Sequence, residues 1–507
     1  MQRRQFLTTL STLATAPSLL APRAHAAGGT NPAADETGYK ALVCVFLWGG
    51  NDSHNTVVPY QGAEYNAYAT ARGGPAEQNG LALPQGSLDT PTQRLGTTGL
   101  ALHPAMTRLA SLYNAGKLAI VCNCGPLIDE TTLAQYRSGT HPLPPALFSH
   151  SDQQMHWQTG IPDQPADTGW GGRLADQFRL SQQGRLPVGI AVGGAGGIFF
   201  KGEVSQAYSI QPVRYSGSGA SASINTGSPI VRIPAAPFSW ISAAQTERVF
   251  REAARHARDN LLEQQYQRVV RASIEVGEFV RTALYGSATG SSWVFQHNPN
   301  GALNVEHWFP GNPLAAQLHA VAAMIAARAA LGARRQIFFV GLGGFDNHGD
   351  QFGRAGDNKS LLAGKHFELL RFLDEALWAF YQATVRMGVA ELVTTMTMSD
   401  FGRTMRSNGD GSDHGWGGHY FVLGDAVRGA RLYGAEAPGA ADTGYYPWPS
   451  QWAARQLDVG EGRLLPTLST DTYLATLARW LGADASETAA VFPNLARFNV
   501  QSLNLFV

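Results

Sequence analysis

The chain has 507 residues, with 38 Lys plus Arg against 38 Asp plus Glu, so its formal charge is zero. Only 15% of residues are charged, against the usual ~25%, and no clustered basic footprint for nucleic acid is present. Fifty-seven glycines and 27 prolines beside 44% apolar residues exclude wholesale disorder and describe a globular, loop-rich, enzyme-like chain.

The first segment stands apart from that globule. Arg3-Arg4-Gln5-Phe6-Leu7 is a twin arginine before an apolar run broken by Pro17, and Ala24-His25-Ala26 is a small-x-small cleavage site. The run falls short of the ~20 residues a membrane span needs. Residues 1–26 therefore read as a cleaved twin-arginine export signal, with the twin-arginine translocase as partner, no stable membrane insertion, and a periplasmic or secreted destination. That route carries folded proteins, which suits a chain that acquires a metal before crossing. Removing Arg3, Arg4 and Arg23, with no acid, leaves 35 basic against 38 acidic side chains, a net charge of −3.

Residues 27–507 are expected to form a single α/β domain. Residues 41–48, Ala-Leu-Val-Cys-Val-Phe-Leu-Trp, are a continuous apolar run that predicts a strand buried on both faces. Similar runs lie at 118–124, 187–192, 336–342, 392–398 and 420–424, alternating with helical patterns at 104–115, about 246–284, 314–331, 361–385 and 470–482. The alternation predicts a mostly parallel central sheet with helices on both faces. In 246–284, Phe250, Ala254, Ala257, Leu261, Val269, Ser273, Val280 and Leu284 recur at three-to-four spacing, a long helix covering the sheet. Pattern-poor stretches near 201–245, 286–312 and 434–466 read as insertions. The three cysteines, Cys44, Cys122 and Cys124, read as buried packing residues; on a strand, Cys122 and Cys124 would point the same way.

Polar, Gly-flanked clusters follow the expected carboxyl ends of these strands, where open α/β sheets place ligands. Gly49-Gly50-Asn51-Asp52-Ser53-His54-Asn55 follows the first run. Gly343-Gly344-Phe345-Asp346-Asn347-His348-Gly349-Asp350 follows 336–342, and Ser399-Asp400-Phe401-Gly402-Arg403-Thr404 follows 392–398. A fourth, Asp413-His414-Gly415-Trp416-Gly417-Gly418-His419, precedes 420–424 and reaches the same edge only if that strand runs antiparallel. Carboxylates of Asp52, Asp346 and Asp400 with imidazoles of His348 and His414 suit one or two divalent ions, zinc or manganese. The bland readings are an Asx turn at Asp52, an internally bonded polar loop at Asp346 and His348, a helix cap at Asp400, and turn and strand-edge histidines at His414 and His419. In Phe148-Ser149-His150-Ser151-Asp152-Gln153, Ser149 or Ser151 begins a helix and is either a plain N-cap or a nucleophile beside a metal, with His150 and Asp152 orienting substrate. Arg403 would neutralise a substrate's negative charge.

As a set, these motifs resemble the family catalogued as domain of unknown function 1501, bacterial twin-arginine-exported proteins placed in the alkaline phosphatase and sulfatase superfamily. The resemblance rests on Arg3-Arg4, Phe46-Leu47-Trp48-Gly49-Gly50-Asn51-Asp52 with Asn55-Thr56-Val57-Val58-Pro59, and Phe148-Ser149-His150-Ser151-Asp152-Gln153. It continues through Gly344-Phe345-Asp346-Asn347-His348-Gly349, Ser399-Asp400-Phe401-Gly402-Arg403-Thr404 and Asp413-His414-Gly415-Trp416-Gly417, in the expected order. It implies an alkaline phosphatase-like fold and a metal-dependent hydrolase of phosphate or sulfate esters. Asp52, Asp346, His348, Asp400 and His414 match the ligands, and a nucleophile falls in Ser149 to Ser151. Two features depart from the superfamily pattern: only Asn347 separates Asp346 from His348, and Phe401 stands where a second-site histidine often follows the aspartate. Two functions follow as expectations. The first is a hydrolase of a small or polymeric anionic ester. The second is a degenerate relative that binds an anionic glycan or a partner protein, with Trp293, Trp308, Phe309, Trp416 and Trp448 available to stack sugars.

Overall fold

A computed structural model describes residues 38–179, 186–194, 196–212, 214–215, 222–223, 252, 260–285, 309–355, 358–435 and 445–507. The expected export signal, most of the 201–245 stretch, Trp293 and Trp308, and most of 246–260 lie outside the described residues.

The architecture is α/β, with a large, mostly parallel sheet. In chain order its strands and the hairpin beside it are β1 (Lys40–Trp48), β2 (Leu118–Gly125), β3 (Gly189–Val192), β4 (Tyr208–Ile210), β5 (Arg335–Gly343), β6 (Val393–Ser399), β7 (Arg403–Ser407), β8 (Ser412–His414), β9 (Gly418–Leu423), β10 (Leu432–Tyr433) and β11 (Leu468–Ser469). The sheet order is β10-β2-β9-β6-β1-β5-β3-β4, with β11 also on β2, while β7 and β8 pair only with each other. Strand β1 lies between β5 and β6 in parallel register, Val43 opposite Phe338 on one side and Thr395 on the other. Strand β9 runs antiparallel to both its neighbours, β6 and β2. The segment before it, which carries His414, therefore reaches the edge where β1, β5 and β6 end.

Alternation along β1 divides the core into two layers. Ala41, Val43, Val45 and Leu47 face one layer and Leu42, Cys44 and Phe46 the other, each close to fully buried. The first layer is covered by helices α2 (Thr107–Asn114), α5 (Leu261–Tyr285), α6 (Pro313–Ala326) and α7 (Lys365–Arg386). The second is covered by α3 (His150–Thr159), α4 (Trp170–Phe178) and α8 (Thr470–Leu481); helix α1 (Gly62–Ala71) precedes them all in the chain. Burial of this much apolar surface on both faces is the dominant favourable contribution to folding. Of the expected long helix, Leu261–Tyr285 is described, and Val280 and Leu284 sit buried in the first layer as the spacing predicts.

One expectation about the sheet is overturned. Cys122 joins Leu118 and Ile120 in the first core layer, but Cys124 joins Ala119 and Val121 in the second. The residue between them, Asn123, has φ 46°, and the pairing of β2 with β9 shifts register between Gly418 and Tyr420. A bulge of this kind inserts one residue and exchanges the faces beyond it. All three cysteines are free and buried, which raises the thiol pKa of each.

Candidate metal centre

Two glycines let the loops meet. Gly49 has φ +111° and a Cβ there would lie 2.4 Å from the Asp346 backbone nitrogen; Gly50, at φ +79°, lies against the Phe401 ring. No side chain fits at either position, so the turn after β1 can lie directly on those after β5 and β6.

The carboxyl edge then brings His150, Asp346, His348 and His414 together. His150, Asp346 and His414 place ligand atoms within 4.8 Å of one another. The Asp346 carboxylate has His150 Nε2 at 3.4 Å on Oδ2, and His348 Nε2 at 3.1 Å and His414 Nε2 at 3.5 Å on Oδ1. His150 comes from the first turn of α3, which Ser149 precedes in extended conformation and Gly160 ends in the left-handed one. His414 comes from β8, the partner strand of the hairpin that begins at Arg403.

The other ring nitrogens decide the tautomers. His150 Nδ1–H donates to Asp400 Oδ2 at 2.7 Å, His348 Nδ1–H to Asp413 Oδ1 at 3.0 Å, and His414 Nδ1–H to the Phe148 carbonyl at 2.6 Å. A carbonyl or carboxylate oxygen can only accept, so each Nδ1 carries the proton and each Nε2 turns a lone pair inward. His348 Nε2 and His414 Nε2 lie 2.7 Å apart, a separation at which two lone pairs repel unless a proton or a cation shares them. His150 Nε2 is buried and has no hydrogen-bond partner among the described residues.

The charges are tuned accordingly. The bond to Asp400 raises the His150 pKa against the opposing effect of burial. Burial lowers that of His414, outweighing its bond to Phe148. At Asp346, burial acts to raise the pKa, but Arg403, His150 and His348 outweigh it and hold the carboxyl down.

Asp400 is fully buried behind His150. Gln154 Nε2 donates to its Oδ2 at 2.7 Å and the Gly49 amide to its Oδ1 at 3.1 Å, so its carboxylate faces the imidazole and not the Nε2 cluster. Arg403 is also fully buried, with its three guanidinium nitrogens engaged by the carbonyls of Gly50, Ser412 and Gly49 and by Asp346 Oδ1. Phe401 packs beneath the rings, 4.8 Å from His150 and 4.6 Å from His414 between centroids.

Asp52 belongs to a separate, interior group. Its Oδ2 pairs with Arg72, the residue that closes α1, and with Gln351, and its Oδ1 accepts the Asn55 amide at 3.3 Å. Burial works to raise its pKa, but the charges of Arg72, His366 and His54 outweigh it and hold the carboxyl well below the usual range. Burial also drives His54 and His366 down to about 4. His419 lies in the interior too, its Nδ1 accepting the Asn123 amide at 3.1 Å.

The serines lie beside the cluster. Ser149 Oγ donates to Asp152 Oδ2 at 2.6 Å, Ser151 Oγ to the same oxygen at 3.1 Å, and the two hydroxyls are 3.2 Å apart. Phe148, with φ +70°, turns its carbonyl onto His414. Sequence reasoning assigned no part to Asp413, Gln154 or Arg72. Asp413 was findable, standing directly before His414; the pairing of Arg72 with Asp52 leaves no local signal. Trp416 is buried and donates to the Pro126 carbonyl at 2.9 Å, so it packs and offers no face for stacking.

A family model described as protein of unknown function (DUF1501) matches residues 39–451. No curated protein matches the chain.

Proposed function

The chain belongs to the DUF1501 family, and we propose that it is an exported, metal-dependent hydrolase of phosphate or sulfate esters. The observation that carries this reading is the convergence of three imidazole Nε2 atoms on Asp346, each ring fixed by an acceptor on Nδ1. Outer acceptors of this kind set the tautomer and orientation of histidine ligands in metal sites.

The donor set fits a borderline divalent ion such as zinc or manganese, held by His150, His348, His414 and Asp346. When bound, such an ion supplies Lewis acidity toward the oxygens of the ester. Asp400 and Asp413 then act as positioning residues for His150 and His348, and Arg403 for Asp346. Because Asp52 is already matched by Arg72 and Phe401 adds no ligand, the reading is of one ion.

The chain supplies its own nucleophile. Ser149 lies in the chain between Phe148, whose carbonyl orients His414, and His150 of the cluster. Its proton already points at Asp152, whose pKa the bond from Ser149 lowers. Ser149 Oγ attacks the phosphorus or sulfur as its proton passes to Asp152, the bond to the ester oxygen breaks and the alcohol leaves, protonated from solvent; water then cleaves the seryl ester, releasing phosphate or sulfate and returning the proton to Ser149, while Ser151 holds the same carboxylate in place. Export rests on Arg3-Arg4 and Ala24-His25-Ala26.

The test is to produce the full chain with its export signal in a bacterial host and measure bound metals by mass spectrometry beside hydrolysis of aryl phosphate and aryl sulfate. One equivalent of a transition metal, lost together with activity in Asp346→Asn and His414→Ala, is expected. A well-folded protein that takes up no transition metal on reconstitution overturns the reading. A metal-loaded protein that binds an anionic glycan and yields no product selects the alternative, a non-catalytic relative, for which Phe401 in a ligand's place is the supporting observation.

A further inference from the structure

The hydrolase reading leaves one electrostatic requirement unmet. An anionic ester brought to this edge adds negative charge beside Asp346, and the buried Arg403 is committed to Asp346 and three carbonyls. Among the described residues a second arginine touches the same group. Arg463 Nε donates to the His414 carbonyl at 2.9 Å, and its guanidinium lies 5.1 Å above the Phe148 ring. Unlike Arg403 it faces solvent, with 25% of its side chain exposed, and its Nη2 is paired at 3.0 Å with Glu461, whose side chain is 60% exposed.

The turn that carries this pair is clamped. Asp458 Oδ1 accepts the amides of Gly460 at 2.8 Å and Gly462 at 2.9 Å, and the Met405 amide donates to the Gly462 carbonyl at 2.9 Å. Gly462 has φ +77°, and a Cβ there would lie 2.6 Å from that of Met405. The backbone of Arg463 is thus fastened to β7, whose partner strand β8 bears His414. Its distance from the histidines is set by the fold, while the partner of its Nη2 edge is exchangeable.

Resting on the hydrolase reading, we propose that Arg463 binds the anionic group of the substrate, and that Glu461 occupies the guanidinium until that group arrives. The planar fork of an arginine accepts a carboxylate or the oxygens of a phosphate or sulfate group in the same bidentate manner. An exposed ion pair is weak, so exchanging Glu461 for an anionic ester costs little. Phe148, the residue before Ser149 in the chain, backs the guanidinium.

Titration calorimetry of the metal-reconstituted full chain with inorganic phosphate, and separately with sulfate, tests this, with metal content measured for every variant. Arg463→Gln is expected to weaken anion binding by about tenfold or more at unchanged metal content. Arg463→Lys recovers only part of it, because an ammonium offers no fork. Glu461→Gln tightens binding at low ionic strength. Unchanged anion affinity in Arg463→Gln, or weaker binding in Glu461→Gln, overturns the proposal and leaves the hydrolase reading standing. A wild type that holds its metal and binds neither anion removes both.

Discussion

Two groups of aspartate and histidine lie in the loops at one edge of the sheet, and they differ in what surrounds their carboxylates. Around Asp346 the carboxylate is 46% exposed and three Nε2 lone pairs face it. Around Asp52 everything is buried, and the Arg72 guanidinium already supplies the positive charge. Residue type alone does not separate these cases. Each carboxylate has a buried arginine, Arg403 on Asp346 and Arg72 on Asp52; what separates the groups is that Asp346 is half exposed and faced by imidazoles anchored through Nδ1, the arrangement that the proposed metal site uses.

Breaking each group in turn tests that contrast. His150→Ala is expected to abolish tight transition-metal binding, read by mass spectrometry and competition with a chelator, at a smaller cost in urea stability than Arg72→Ala, because the buried Asp400 loses one bond but keeps those from Gln154 and the Gly49 amide; a retained ion removes His150 from the cluster's function. Arg72→Ala does the reverse. It strands a buried carboxylate, destabilising the fold by about 3–5 kcal/mol, and the folded fraction keeps its metal; a loss of under ~1 kcal/mol would show the pair to be replaceable.

Acid sharpens the comparison. His54 and His366 titrate at about 4 in the fold and near ~6.5 when unfolded. The unfolded chain binds more protons between those values, so their contribution to stability is lost as pH falls through that window. Asp52, held below its ordinary value, adds a further loss below about pH 4. Asp471, in the first turn of α8, opposes this. Burial pushes its carboxyl up to about 8, so the fold holds its proton and the stability it lends is lost as pH rises from about 4 to about 8. The stability of Asp471→Asn to urea should therefore fall more steeply on acidification than that of wild type; parallel profiles would contradict the assignment to Asp471.

The smallest effect is expected at the outer acceptors. Asp400→Asn and Asp413→Asn each weaken metal affinity by about 10–100-fold, with the buried Asp400 at the upper end, and equal affinity to wild type would reduce them to bystanders.

Much of this edge was legible along the chain. The apolar run at 41–48 and the Gly-flanked cluster after it mark a buried strand ending in a polar turn, and β1 ends at Trp48. That His414 reaches the same edge as Asp346 depended on the direction of one short strand, which the sequence leaves open and pairing with β2 and β6 decides. The faces of Cys122 and Cys124 illustrate the opposite case. Strict alternation put them together, and one residue with positive φ separates them.

The sequence by itself determined the α/β class, the order of the strands along the chain, and the polar clusters that close on the carboxyl edge, because burial periodicity and glycine turns are local properties. Tertiary structure alone decided which aspartate meets the histidines. Asp52 and Asp346 stand in comparable turns after parallel strands, and nothing near either one in sequence distinguishes them. The difference is made by Asp400 behind His150, by Asp413 on His348 and by the Phe148 carbonyl on His414. Such contacts join residues far apart in the chain, and electrostatic balance in a low-dielectric interior depends on distance in space, which only the folded chain sets.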